Sequence, residues 1–113
     1  MEDFKYHFNE DEWTIYLIED DDNVVTESDV AALTLFEDKE LYFRRGEISK
    51  DVIRHELWHV YFGYCFLSDT NDISVGDLEE ISAGLFAHKC ERILKVADDL
   101  YDKLQQLRDK DAN

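Results

Sequence analysis

The chain has no proline and only four glycines in 113 residues. Both residues punctuate turns and flexible connectors, so their scarcity argues against long linkers. Cysteine occurs twice, at Cys65 and Cys90, with no close spacing. Both fall in apolar helical stretches, where buried free thiols are expected rather than a disulfide. Basic residues are few, 12 against 28 acidic ones, for a net charge of −16. Such a surface repels nucleic acid and anionic membranes, so neither is expected as a direct partner. It suits a basic partner protein, or it imitates the charge of DNA. No stretch approaches the roughly 20 uninterrupted apolar residues of a membrane span. No apolar run follows a basic start, so no secretory leader is expected and a cytoplasmic location is the default.

What is present suffices for a core. Apolar residues make up 44% of the chain and aromatic residues 13%, enough to fold as one domain over residues 1–113. The first 48 residues read mainly as strands. Phe4, Tyr6 and Phe8 alternate with Lys5 and His7, and Trp13 to Ile18 is rich in β-branched and aromatic residues, as befits a central strand. The acidic run Glu19 to Asn23 lacks the glycine and ligand spacing of a calcium loop and reads as a solvated turn. Val24 to Val30 fits a short helix or an irregular loop. Ala31 to Phe36 and Glu40 to Arg45 form a hairpin that puts Leu41 and Phe43 on one face and Tyr42 on the other.

Helices follow. Ser49 N-caps a helix that runs to about Phe66, with Gly63 inside it as a close contact or a weak point. Ser68 to Asp72 is a polar loop. Ser74, with Asp77 three residues on, caps a second helix reaching about Arg108. Its distal half spaces Ile93, Ala97, Leu100, Leu104 and Leu107 by fours and threes, as a coiled-coil seam does. That seam packs on the strands or, in a homodimer, on a second copy.

The first of these helices carries His55-Glu56-Leu57-Trp58-His59. Histidines four apart share a helix face, one turn above each other, so both imidazoles can reach one metal ion. The glutamate between them faces the open side of that metal and can take a proton from a bound water. The bland alternative is an ordinary pair of core or surface histidines. Val52, Ile53, Leu57, Val60, Phe62 and Phe66 surround the motif, and histidines on a largely buried helix need polar partners, which a metal provides.

A catalytic zinc takes three protein ligands and leaves one position open. Glu80 follows His59 by twenty-one residues, enough to leave the first helix and return antiparallel. It lies at the edge of a stripe formed by Leu78, Ile81 and Leu85, while Ser82, Ala83 and Gly84 are small enough for close helix approach. Glu79 is the alternative third ligand, although an exposed acid at a helix start explains Glu79 better. His88 and Tyr61 are candidate auxiliary groups for an oxyanion. As a fourth ligand, His88 would instead give a closed, structural zinc site. His7 has no partner in sequence and reads as structural.

Arg54-His55-Glu56-Leu57-Trp58-His59, then Glu80-Ile81-Ser82-Ala83 and Leu85-Phe86-Ala87, together resemble the small zincin-like metallopeptidases of the ImmA/IrrE type, most closely the short forms of phages and prophages. The hairpin Leu33 to Phe43 is similar to the one that precedes their metal helix. The resemblance spans roughly residues 12–88 and is most specific at the pentapeptide. It implies an α+β zincin-like fold: a three-stranded antiparallel sheet packed on the metal helix (49–66) and on a long helix (74–108) that supplies the third ligand. It also implies zinc held by His55, His59 and Glu80, Glu56 as general base, and peptide-bond hydrolysis in an intracellular regulator protein, within the host cytoplasm if the chain is phage-encoded. In that mechanism an edge strand near Ala31 to Phe36 seats the substrate by strand addition. The chain departs from many members in lacking a helix-turn-helix domain and in its acidic, extended last helix. A rival reading of the charge is a catalytically silent zincin fold that binds or decoys a basic or DNA-binding partner.

Overall fold

Alternation of apolar and polar residues builds the first half of the molecule. The computed structural model describes residues 2–22, 31–65 and 74–110. Strands β1 (Glu2–Phe8) and β2 (Asp11–Ile18) form an antiparallel hairpin, Phe8 facing Asp11 across a turn in which Asn9 takes a positive φ of 56°. Asparagine is among the few non-glycine residues that tolerate this conformation. Strands β3 (Ala32–Leu35) and β4 (Glu40–Arg44) form the expected second hairpin. The sheet order is β1-β2-β4-β3, with β2 and β4 side by side and parallel. The expected sheet of about three antiparallel strands is therefore corrected to a mixed sheet of four. Two local hairpins are joined along their inner strands, and that join is a long-range pairing with no local signature.

Helix α1 (Lys50–Cys65) starts where Ser49 was expected to cap it: Val52 N–H donates to Ser49 Oγ at 3.1 Å. Helix α2 (Val75–Lys110) is capped in the same way, Asp77 N–H donating to Ser74 Oγ at 3.1 Å. At 1.5 Å per residue its 36 residues run about 54 Å, which sets the 50 Å long axis of the molecule. Val24 to Val30, Phe66 and the loop Ser68 to Asp72 lie outside the described residues.

The core forms where one sheet face meets both helices. Trp13, Ile15, Leu17, Leu41 and Phe43 of the sheet pack against Ile53, Leu57 and Val60 of α1 and against Ile93, Ala97, Leu100 and Leu104 of α2. The seam of α2 is thus buried within the chain itself. Tyr42 lies on the opposite sheet face with Ile18, its ring stacked on Tyr16 at 4.6 Å, as the alternation requires. The proximal part of α2 extends past this core. There Leu78, expected in the buried stripe, is exposed, as are Val75 and Phe86; Ile81 is half-buried and Leu85 buried.

Three small residues resolve differently from one another. A Cβ on Gly63 would sit 2.5 Å from the Phe36 ring, so this glycine marks a close contact. A Cβ on Gly84 would meet nothing within 4 Å, so close helix approach does not depend on it. The Cys90 thiol is free and half-buried rather than buried. The acidic turn after β2 is not simply solvated: Arg44 is buried and donates to the carbonyl oxygens of Glu19, Asp20 and Asp22, and Gly46 N–H donates to Asp20 Oδ1 at 2.7 Å. His7 is exposed on the sheet surface, 3.7 Å from Glu12 across the β1–β2 hairpin.

Candidate metal site

Helix α1 buries Ile53, Leu57 and Val60 and turns its opposite side outward. His55 and His59 are on that outer side, both exposed. Burial therefore does not oblige these histidines to find a partner, contrary to the expectation of a helix buried on much of its circumference. Their mutual geometry carries the argument instead. The two Nε2 atoms are 3.3 Å apart and the rings meet edge to face, with centroids at 4.9 Å. Two nitrogens each 2.0–2.1 Å from one tetrahedral zinc would be about 3.3–3.4 Å apart, so the pair fits that ion. The bland alternative at this distance is one imidazole donating an N–H to the other.

Glu56 differs from its neighbours. It is only 7% exposed and lines the groove between α1 and β3. Its Oε1 accepts a hydrogen bond from the Thr34 hydroxyl at 2.7 Å, and its Oε2 is 3.9 Å from His55 Nε2. One ligand-capable atom from each of His55, Glu56 and His59 lies within 4.8 Å of the others. The expected metal pair and general base are thus brought together.

The other expected residues stand apart from this group. Glu80 and Glu79 are exposed in the first turns of α2 and are not part of the three-residue cluster. His88 is exposed further along the same helix. Tyr61 is buried, its ring packed edge to face on Phe8 at 6.3 Å.

Thr34 is the site residue that the sequence reading missed. It is a lone hydroxyl between Ala32 and Phe36 on the inward side of a strand, and that was the available signal. Two hollows flank the cluster along β3. One, of about 370 Å³, is lined by Ala31, Ala32, Asp51, Val52, His55 and Glu56. The other, of about 470 Å³, lies against Ala32, Thr34 and Phe36 and reaches His55, Glu56 and His59. Together they make a groove along an edge strand. Arg44 N–H donates to Ala31 O at 3.1 Å, which fixes the hydrogen-bonded pairs of the β3–β4 hairpin. The intervening residues, Ala32 and Thr34, then direct their backbone N–H and C=O to the open edge.

No helix among the described residues is long and apolar enough to cross a membrane. No protein-family model, no curated protein and no solved structure matches the chain.

Proposed function

We propose that the chain is a zinc-dependent peptidase of the zincin type acting on an extended segment of a protein substrate. The observation that carries this reading is the 3.3 Å separation of His55 and His59 Nε2 beside a buried carboxylate at the mouth of an edge-strand groove. His55 and His59 would hold the metal; Glu80, which is exposed on α2 and outside the three-residue cluster, is the proposed third ligand, with Glu79 its alternative. Bound there, zinc would supply Lewis acidity, polarising a peptide carbonyl and acidifying water.

The chain's own groups do the rest. Backbone N–H and C=O groups of Ala32 and Thr34 seat the substrate as an added strand. Glu56 takes a proton from the attacking water through Oε2 and passes it to the leaving amine. The −16 charge favours encounter with a basic substrate, and that preference should weaken as salt rises.

The test is hydrolysis of a mixture of quenched fluorescent peptides by zinc-loaded protein, compared with Glu56→Gln. Loss of a general base costs about 10²- to 10⁴-fold. Cleavage that continues undiminished in Glu56→Gln would sink the assignment.

A further inference from the structure

Glu56 has two oxygens with different surroundings. Oε1 accepts from Thr34 at 2.7 Å, while Oε2 faces His55 Nε2 at 3.9 Å. A glutamate carboxylate turns easily about its last torsion, which is broad and two-fold. A single strong donor on one oxygen removes that freedom and points the other oxygen to the histidine side. The donor here is a hydroxyl on a strand, held by sheet pairing rather than by a mobile side chain. Thr34 pairs with Leu41 across the hairpin, so its backbone is fixed by β4 while its N–H and C=O face the open edge.

We infer that Thr34 is a positioning residue that joins substrate seating to orientation of the base. Its hydroxyl aims Glu56, and its backbone pairs with the peptide strand laid along β3. The scissile bond and the base are then registered to the same residue, 22 positions before Glu56 in sequence. This inference rests on the peptidase reading.

The substitution Thr34→Val keeps the β-branch, the strand preference and the backbone edge, and removes only the donor. Thr34→Ser keeps the donor. We would load wild type, Thr34→Val, Thr34→Ser and Glu56→Gln with cobalt(II) and follow its visible bands while titrating acetohydroxamate, whose hydroxyl needs the Glu56 carboxylate as acceptor. The same four proteins would be assayed for kcat and KM on the quenched peptide mixture. Cobalt stoichiometry should be equal in all four. In Thr34→Val, acetohydroxamate affinity and kcat should each fall about ten-fold with KM unchanged, and Thr34→Ser should restore both. A merely structural threonine would lower melting temperature without this split between kcat and KM. Thr34→Val indistinguishable from wild type, with Glu56→Gln impaired, overturns the role of Thr34 and leaves the peptidase reading standing. Wild type that takes up no cobalt overturns the peptidase reading, and the inference falls with it.

Discussion

The indole N–H of Trp13 donates to the Tyr64 hydroxyl at 2.8 Å, and that hydroxyl donates in turn to Asp11 Oδ2 at 2.7 Å. This relay ties the start of β2 to the last turn of α1, the helix that carries the histidines. Trp13 is fully buried, so its N–H depends on Tyr64 for a partner. Burial first, and the Asp11 hydrogen bond second, push the Tyr64 phenol from 10.0 up to about 12. Burial and Asp99 do the same to Tyr6, which also reaches about 12.

The pH dependence follows from the direction of these shifts. A group whose pKa rises on folding stabilises the protein fully below its unfolded value and loses that contribution as pH climbs through the folded value. Stability should therefore hold to about pH 10 and decline between pH 10 and pH 12. Phenolate absorbance should show a late-ionising class of tyrosines. Tyr64→Phe should remove one member of that class and destabilise the fold by about 2 kcal/mol, because Trp13 is left without an acceptor. A titration in which every tyrosine ionises together near 10 would contradict the relay.

Gly63 and Gly84 make a paired test. The Phe36 ring that a Cβ on Gly63 would strike is itself packed edge to face on Trp13 at 5.5 Å and Tyr64 at 5.0 Å, so it has little room to retreat. Gly63→Ala should cost about 1–3 kcal/mol in urea denaturation. Gly84→Ala, with open space around it in a helix interior, should gain about 0.5–1 kcal/mol. Equal effects at the two positions would contradict the packing of Phe36 on α1.

Much of this arrangement was legible in sequence because the signals were local. Two serines marked the helix starts, alternation sorted Leu41 and Phe43 from Tyr42, and the four-residue histidine spacing put both imidazoles on one face. The rest depends on contacts between distant segments. The parallel pairing of β2 with β4 joins two hairpins that each look complete alone. The Thr34–Glu56 bond crosses from strand to helix. Leu78 obeys the helical stripe yet lies where α2 has outrun the core, so periodicity alone could not say which turns are covered. The histidine helix shows the same limit: Ile53, Leu57 and Val60 form its buried side, while Val52 and Phe62, on the side of the histidines, are only half-buried and leave His55 and His59 exposed.

Arg44 carries a third structural prediction. Its buried guanidinium serves the carbonyl oxygens of Glu19, Asp20 and Asp22, closing the acidic turn onto the end of β4. Arg44→Met preserves much of the side-chain volume and strips the donors. It should destabilise the protein by about 2–4 kcal/mol in urea denaturation, since several acceptors lose a charged partner at once. An unchanged midpoint would mean that water replaces the guanidinium without cost.

The measurement to make before any substrate search is metal content by elemental mass spectrometry, on protein purified with zinc supplied and chelators excluded. Native chain, His59→Ala and Glu80→Ala would be compared. The account predicts about one zinc per chain in the native protein, with the ion lost from His59→Ala and from Glu80→Ala, as three ligands and one open position require. Native protein that carries no zinc would contradict it, and the 3.3 Å approach of His55 and His59 would then be an ordinary imidazole hydrogen bond on an exposed helix face.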